Sequence, residues 1–567
     1  MKTTRRSGGR PRPPARGLGV EWLEPRMLLA TDVLAATPAG AERFVWQGRE
    51  VDVRPGFWNG RFASATPYGS PALPASLLPV VTWTTTSLGE GFFSLSAPDA
   101  DPQFVVDWAS QTAGVLSIEP DFIVDAPQGT RVLTSAAGTE PETIPNDPDF
   151  PDQWAPPVVQ ATSAWSVSVG SPIVVVAVLD SGVDLSHPDL VDNLWLNPRD
   201  IPDNGIDDEF NGFVDDYRGW NFVDRNNDVQ DRYGHGTHVT GIIGATGNNG
   251  IGIAGINWRV LVMPLKILGD DGLGTASMAI AAMTYVTTMR RDLETNIVVT
   301  NNSWGASSGY SVVMRDAIAA MADVGVGFVA AAGNRGTDND LLPRYPSSYD
   351  VPNVIAVTAS TATDGLASFA NYGATSVDLA APGAGILSTL PGGVYGQLSG
   401  TSMAAPQVAG AIALLSAAKP GLTVAEARAA ILGSTDTVAS LVGKTVTGGR
   451  LNVRGAMVSL GLNPEPPPEP PPPPPPPVPA TQPFADDFNQ DDASTLSGYW
   501  ATRTGAVGIA NGEAVARTSR ASIATLNDVR VTDSASQAFV NLRTGTTVGL
   551  VARYAGAGDR NMYLACL

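Results

Sequence analysis

The stretch IVVVAVLDSGVDLSHPDL, residues 173–190, decides the fold class of this 567-residue chain. Its first seven residues are apolar and mostly β-branched, without the polar alternation of a half-exposed strand. Such a run is typical of a strand buried on both faces of a parallel sheet. Asp180 follows at once, so the sequence predicts a carboxylate at the carboxyl edge of that sheet, where open α/β sheets build their sites.

Similar runs recur along the chain and alternate with helical segments rich in small residues. The predicted strands are VLVMPLKIL (260–268), NIVVTNN (296–302), VGVGFVAAAG (324–333) and NVIAVTA (353–359). The predicted helices are TASMAIAAMTYVTTM (275–289), VMRDAIAAMAD (313–323) and SMAAPQVAGAIALLSAA (402–418). This alternation predicts an α/β domain with a doubly wound, mostly parallel sheet over residues 146–460.

Composition divides the remainder into four segments. Residues 1–40 are basic and contain LEPRMLLA, which indicates an export or targeting segment, with a disordered basic tail as the alternative. Residues 41–137 mix extended and helical runs and predict a small α+β module. Residues 461–483 are a proline-rich linker, predicted to be a stiff polyproline II spacer rather than a ligand for an SH3-type domain. Residues 484–567 carry short alternating segments typical of an antiparallel β domain.

The charge and the rare residues exclude several classes of function. A formal net charge of -20 opposes binding to nucleic acid and to anionic membranes, and no uninterrupted apolar run is long enough to span a bilayer. One cysteine, Cys566, excludes an intrachain disulfide and a cysteine-built zinc site. Residues 180–232 hold 14 Asp and Glu but only 4 Lys and Arg, which indicates a local need for carboxylates.

Three strings each place one reactive side chain among small residues at the boundary of an element. Asp180 ends the first strand, His235 lies between two glycines in YGHGTHVTG, and Ser402 begins a helix in LSGTSMAAP. A serine nucleophile needs a neighbouring base, and that base needs an acid to orient it. A helix start also favours developing negative charge. These three residues are therefore the candidate catalytic group.

With these motifs, DSGVDLSHPDL, HGTHVTG and GTSMAAP, the chain resembles the subtilisin-like serine protease family. The resemblance implies an Asp180–His235–Ser402 triad in a subtilisin-like fold, with Asn334 of AAAGNRG as an oxyanion donor. It also implies that residues 41–137 are an inhibitory prodomain, removed by a cut between about 126 and 146. Residues 484–567 resemble the opening half of a concanavalin-like jelly roll, which indicates a truncated β-sandwich or a degenerate module. LEPRMLL resembles the LEPR-x-LL segment of exported bacterial proteins.

By the same resemblance, a peptide substrate lies as an added strand between two segments of the chain. Arg344 falls near the base of the pocket for the residue before the scissile bond, P1. There it would favour acidic or polar side chains if it points inward; the alternative is a solvent-facing arginine. The predicted substrate-binding residues are Ser303, Trp304, Gly305, Gly272, Leu273, Gly274, Gly333 and Arg344.

Two calcium sites are predicted. Asp147, Asp189 and Asn248 match family ligands in three remote segments and would tie the start of the domain to its core. In the acidic block, five residues occupy positions 1, 3, 5, 7 and 9 of an EF-hand-like loop: Asp207, Glu209, Asn211, the Phe213 carbonyl and Asp215. Position 12 is Arg218, so another carboxylate such as Asp216 would have to complete the shell, and a solvated acidic loop is the alternative.

The sequence as a whole predicts a secreted or cell-surface, calcium-stabilised serine endopeptidase, made as a zymogen that processes itself. Its expected partners are protein substrates, its own prodomain, and a carbohydrate or surface ligand for residues 484–567. The alternative is an adhesion or scaffold protein whose protease domain is inactive or acts only on itself.

Overall fold

The computed structural model describes residues 41–63, 84–126 without 99 and 113, 142–463 without 307 and 308, and the backbones of six short strands between 500 and 566. The predicted export segment 1–40 and nearly all of the linker 461–483 lie outside the described residues. The chain divides into two compact units, Met1–Pro466 and Pro467–Leu567.

Residues 41–126 are called the N-terminal module, and those of them that the structure describes form an antiparallel sheet and one helix. The strands follow the order β5-β2-β4-β3, with β1 also on β2. Asp101 caps the helix through its carboxylate, which accepts from Gln103 N at 2.8 Å. The elements are β1 Glu42–Trp46, β2 Arg49–Phe62, β3 Thr84–Gly89, β4 Phe92–Ser96, α1 Pro102–Gln111 and β5 Val115–Asp125.

The region from 142 to 463 is built on a nine-stranded sheet. Its helices are α2 Ala155–Val158, α3 Ala161–Ala164, α4 His235–Gly244, α5 Ala276–Arg291, α6 Val312–Asp323, α7 Thr401–Ala418, α8 Val424–Gly433 and α9 Val453–Ser459. Its strands are β6 Gly170–Asp180, β7 Trp220–Asn221, β8 Arg259–Lys266, β9 Leu273–Thr275, β10 Ile297–Asn302, β11 Gly305–Ala306, β12 Gly327–Ala331, β13 Val354–Ser360, β14 Leu379–Pro382, β15 Ile386–Leu390, β16 Val394–Leu398, β17 Asp436–Thr437 and β18 Gly449–Arg450.

The strand order of the large sheet is β17-β18-β14-β13-β12-β10-β6-β8-β7, and every pair is parallel except β17 with β18. Each of the five strands and three helices predicted from the sequence is present, with ends that differ by a few residues. The predicted doubly wound, mostly parallel α/β sheet is therefore confirmed.

Alternate side chains of the central strand β6 enter two separate hydrophobic cores. Val174, Val176 and Val178 pack with α4 and α7 on one face. Val175, Ala177 and Leu179 pack with α5 and α6 on the other face, in a core that also includes the apolar side chains of the N-terminal module. Burial on both faces explains why the strand has no polar alternation.

Helix α7 is long and apolar enough to cross a membrane by length and composition, the one such helix among the described residues. However, 83% of it is buried inside the protein. It is the central core helix of the α/β domain, and Ser402 lies in its first turn.

The second unit contains six short strands in three antiparallel pairs. They are β19 Trp500–Thr504 with β22 Ile523–Leu526, β20 Val507–Ala510 with β21 Glu513–Ala516, and β23 Gly549–Val551 with β24 Leu564–Cys566. These short pairs do not establish a two-layer sandwich, so the jelly roll stays a prediction.

Candidate active site

Asp180 and His235 form a buried pair at the carboxyl edge of the large sheet. Asp180 is the last residue of β6, and its Oδ1 lies 2.8 Å from His235 Nδ1. The same oxygen accepts from the backbone N–H of Ser181 at 2.8 Å. Burial opposes a charge on His235, but the charge and hydrogen bond of Asp180, together with the charge of Asp231, hold the pKa of the imidazole above its usual value.

Two glycines fix how His235 enters helix α4. Gly234 has φ 97°, a left-handed conformation that L side chains rarely adopt. A Cβ on Gly236 would lie 2.2 Å from the carbonyl oxygen of Gly182. The first turn of α4 therefore packs directly on the backbone that follows Asp180, and this brings the imidazole to the carboxylate.

Asp231, which the sequence analysis did not single out, holds this segment in place. Its carboxylate is buried and accepts hydrogen bonds from Ser181 Oγ at 3.0 Å, Gly234 N at 2.8 Å and Thr237 N at 2.8 Å. It ties the loop after β6 to the start of α4, so it positions His235 without contacting its ring. Its place four residues before His235 and beside the helix start was the available sequence signal.

Ser402 lies in the first turn of α7, which packs against α4. Its Oγ donates to the carbonyl of Ser303 at 3.1 Å, and Ser303 Oγ donates in return to the carbonyl of Ser402 at 2.8 Å. His235 Nε2 is buried and has no hydrogen-bond partner among the described residues. In this arrangement the hydroxyl is turned to Ser303, and rotation about its Cα–Cβ bond is the movement that redirects it.

Asn334 presents a free amide N–H beside Ser402. Its Oδ1 accepts from the backbone N–H of Thr401 at 2.8 Å and from Thr401 Oγ1 at 2.9 Å. These bonds fix the amide so that Nδ2 faces Gly400, where a Cβ would come within 3.0 Å of it. Nδ2 is buried and makes no hydrogen bond within the described part of the chain. A buried, unused donor next to the nucleophile is suited to stabilise an oxyanion.

Strand β5 of the N-terminal module lies between the two segments predicted to bind substrate. It pairs antiparallel with β9 on one side, Val124 opposite Gly274, and with β11 on the other, Asp125 opposite Gly305. Ala126 N then donates to Gly272 O at 3.2 Å. Of the predicted residues, Gly272, Leu273, Gly274 and Gly305 thus contact an extended strand, and Ser303 lies two residues before Gly305.

Arg344 is buried beside Gly305 and Gly333 instead of facing solvent. A Cβ on Gly305 would lie 3.2 Å from Arg344 Nε, and one on Gly333 would lie 3.4 Å from Arg344 Cγ. The arginine is 8% exposed, and Nη2 lies 3.1 Å from Asp125 Oδ1. Trp304, predicted to bind substrate, is 1% exposed and packs in the core with the N-terminal module.

The three segments of the first predicted calcium site come together. Asp147 accepts from the backbone N–H groups of Asn248 at 2.7 Å and Asn249 at 2.9 Å. Asp189 accepts from Asn249 Nδ2 at 2.8 Å, while Asn248 Oδ1 accepts from Asn146 N at 3.2 Å. Burial, together with the charge of Asp147, raises the pKa of Asp189 to about 6. The repulsion between Asp147 and Asp189 would favour a bound cation, but both Asp147 oxygens already accept backbone N–H groups, so calcium at this place stays a prediction.

The side chains of the second predicted calcium site do not follow the predicted EF-hand order. Asp207 accepts from Asn211 N at 3.0 Å and Gly212 N at 2.8 Å, and Asp215 accepts from Gly205 N at 3.0 Å. Both carboxylates therefore hold turns instead of joining a common centre. The Asn211 side chain donates its amide N–H groups to neighbouring carboxylates, and the Phe213 ring packs 4.9 Å from that of Tyr285.

Glu209 instead meets Asp200 and Asp216, and these three side chains could hold a metal ion. Both carboxylate oxygens of Asp200 and Oε2 of Glu209 are buried without a hydrogen-bond partner among the described residues. Burial and the charge of Asp216 raise the pKa of Asp200 to about 6 and that of Glu209 to about 7. Hard oxygen ligands of this kind suit Ca²⁺.

The other two histidines have structural contacts. His238 Nε2 lies 3.0 Å from the Ile386 carbonyl, and burial, with the nearby charge of His235, lowers its pKa to about 3. His187 Nδ1 accepts from Asp189 N at 3.2 Å. Both histidines therefore hold the fold through contacts away from Ser402.

Comparison with known proteins assigns this site to a class. The model of the subtilase family of peptidases matches residues 172–454. Thermitase of Thermoactinomyces vulgaris is 35% identical over 309 residues, which cover 54% of this chain and 97% of thermitase. The thermophilic serine proteinase of Bacillus sp. (strain AK1) is 37% identical over 309 residues, 54% of this chain and 68% of that protein. Subtilisin amylosacchariticus of Bacillus subtilis subsp. amylosacchariticus is 37% identical over 255 residues, 45% of this chain and 58% of that protein.

The chain belongs to the subtilase family of subtilisin-like serine endopeptidases. Subtilases generally bind structural calcium, which agrees with the acidic cluster of Asp200, Glu209 and Asp216.

Proposed function

We propose that this protein is a secreted endopeptidase that cleaves proteins through Asp180, His235 and Ser402, and that it is made as a zymogen which processes itself. The observation that carries the catalytic assignment is the buried Asp180–His235 pair at the start of α4, next to the helix whose first turn bears Ser402. These are the acid, the base and the nucleophile that serine hydrolysis requires.

In the proposed reaction, His235 Nε2 takes the proton of Ser402 Oγ as that oxygen bonds to the substrate carbonyl carbon. Asp180 keeps the proton of the imidazole on Nδ1 and stabilises the imidazolium. Asn334 Nδ2 and the Ser402 backbone N–H donate to the oxyanion. His235 then protonates the leaving amine as the C–N bond breaks, which leaves an acyl ester on Ser402. Water, deprotonated by His235, attacks this ester and releases a carboxylic acid and free Ser402.

A fluorophosphonate probe and casein hydrolysis test the assignment together. The wild-type chain should become labelled and should cleave casein. Ser402→Ala should lose both properties, with a fall in turnover of about four to six orders of magnitude. A Ser402→Ala chain that still cleaves casein would contradict the assignment.

The zymogen proposal rests on strand β5. Because β5 pairs with both β9 and β11, it takes the place of an extended substrate. Ser303 precedes Gly305 by two residues, and Gly305 lies opposite Asp125, so the carboxyl end of β5 points toward Ser402. We therefore place the cut in the segment between about 126 and 146. Mass spectrometry should find the wild-type chain cut there and Ser402→Ala intact.

The same pairing supports the alternative of an enzyme that acts only on itself. A strand that stays in the cleft after the cut would block other substrates. Processing and fluorophosphonate labelling without casein hydrolysis would favour this alternative, whereas hydrolysis that appears after processing would exclude it.

The remaining proposals concern location and binding. Export is proposed from the basic segment 1–40 and from the relationship to thermitase, and detection of processed protein in the medium of expressing cells tests it.

The segment 484–567 is proposed to bind a carbohydrate or a surface, and glycan-array binding by the Ser402→Ala chain tests that role. Calcium is proposed at the Asp147 and Asp200 sites, and the response of the melting temperature to EDTA tests both.

A further inference from the structure

Arg344 forms an ion pair with the strand that occupies the substrate cleft. Its Nη2 lies 3.1 Å from Asp125 Oδ1, and the arginine side chain is 9% exposed against 37% for the aspartate. The cation belongs to the cleft wall, whereas the anion belongs to the bound strand. The pair therefore links a fixed part of the enzyme to a position that a substrate takes when β5 leaves.

Neighbouring groups hold the guanidinium at this position but leave one of its nitrogens without a hydrogen-bond partner among the described residues. Arg344 Nη2 also lies 3.4 Å from the Gly305 carbonyl, while Nη1 is buried without a hydrogen-bond partner among the described residues. Arg335 adds a second positive charge nearby, which together with burial lowers the pKa of Arg344. A buried cation with an unused N–H and another cation beside it favours an incoming carboxylate.

The pairing register tells which substrate residue meets this cation. Asp125 lies opposite Gly305, and Ser303, two residues earlier, contacts Ser402 through both its carbonyl and its hydroxyl. Along an antiparallel strand, the residue opposite Gly305 is two residues upstream of the one opposite Ser303. If the residue beside Ser402 carries the scissile carbonyl and is P1, then Asp125 marks P3.

We propose that Arg344 is a specificity-determining residue that selects Asp or Glu at P3 of the substrate, and that Asp125 fills this subsite before activation. The inference rests on the proposed function. It differs from the expectation that Arg344 reads P1, because the carboxylate that meets the guanidinium lies opposite Gly305 and not opposite Ser303.

Two pairs of fluorogenic peptides, used with the processed full chain, test the proposal. One pair carries Asp or Asn at P3 with a constant P1, and the other carries Glu or Gln at P1 with a constant P3. The wild type should cleave the P3 Asp peptide with a kcat/KM about tenfold above that for the P3 Asn peptide, and should not prefer Glu to Gln at P1. Arg344→Gln should bring the P3 ratio close to one, and Arg344→Lys should restore part of it.

The readout is a ratio within each variant, so a general loss of activity cancels. A wild-type P3 ratio within twofold of one, or a ratio that persists in Arg344→Gln, overturns the proposal. A preference that follows P1 instead of P3 overturns it in favour of the P1 role. Failure of the proposed function looks different, because none of the four peptides would then be cleaved and the chain would not react with a fluorophosphonate.

Discussion

Asp180 Oδ1 lies 2.8 Å from His235 Nδ1, and both side chains are buried. The hydrogen bond between them fixes the orientation of the His235 imidazole. In Asp180→Asn, an amide that can also donate would face Nδ1, and the imidazolium would lose its counter-charge. We expect kcat on a peptide substrate to fall about 10,000-fold, with little change in KM. Asp192→Asn, exposed on the short 3-10 helix Val191–Asn193, is the matched control, and activity of Asp180→Asn within tenfold of this control would exclude the assigned role.

The pH profile should report the raised pKa of His235. The imidazole must be neutral to accept a proton, so kcat/KM should rise with pH through an acidic limb whose midpoint lies above the usual histidine value of about 6.5. Asp231 contributes to that elevation, so Asp231→Asn should move the midpoint to lower pH. Asp192→Asn should leave it unchanged. A midpoint that stays fixed in Asp231→Asn would show that Asp231 does not act on the imidazole through its charge.

Asn334→Ala should lower kcat about 100- to 1,000-fold and leave KM nearly unchanged, because the free Nδ2 donor is needed only when negative charge develops on the substrate oxygen. Labelling by a fluorophosphonate should become slower to a similar extent. The melting temperature is measured in parallel, because Asn334 Oδ1 also holds the Thr401 backbone. A loss confined to KM would assign Asn334 to substrate binding instead.

The elements that could be predicted from sequence are those decided by local pattern. The apolar, β-branched run that predicts strand β6 lies entirely within that strand. Asp180, His235 and Ser402 each lie in a motif of small residues at an element boundary. The pairing of Asp125 with Arg344 could not be predicted in this way. It depends on the register of a strand 219 residues away along the chain.

The second predicted calcium site shows that contacts within a single loop could not be predicted from sequence either. The spacing of Asp207, Glu209 and Asp215 suggested a linear EF-hand order, but ligand spacing does not tell which carboxylates will instead accept turn N–H groups. Asp200 joins Glu209 and Asp216 only because the loop folds back on itself. Asp231 was missed because a buried positioning carboxylate carries no motif of its own.

Removal of calcium should destabilise the protein at both proposed sites. Without an ion, the neighbouring carboxylates of Asp147 and Asp189, and those of Asp200, Glu209 and Asp216, repel one another. EDTA should lower the melting temperature of the Ser402→Ala chain by about 5–10 °C, and added Ca²⁺ should restore it. Asp147→Asn and Asp216→Asn should each reduce the response, with Asp192→Asn as control. A melt that EDTA does not change would remove both sites.

Release of the N-terminal module after processing should become faster as pH rises. Glu119 on β5 accepts from Val312 N at 2.9 Å and from Ser311 Oγ at the start of α6, and burial raises its pKa from about 4.5 to about 8. The docked carboxyl therefore holds a proton that the free carboxyl releases, so docking is strongest below about pH 4.5 and weakens progressively up to about pH 8. The lag before peptide hydrolysis begins should be longer at pH 6 than at pH 8.5. Glu119→Gln, which is neutral at both pH values, should remove this difference. A lag in the wild type that lengthens with pH would contradict the role of Glu119 in docking the N-terminal module.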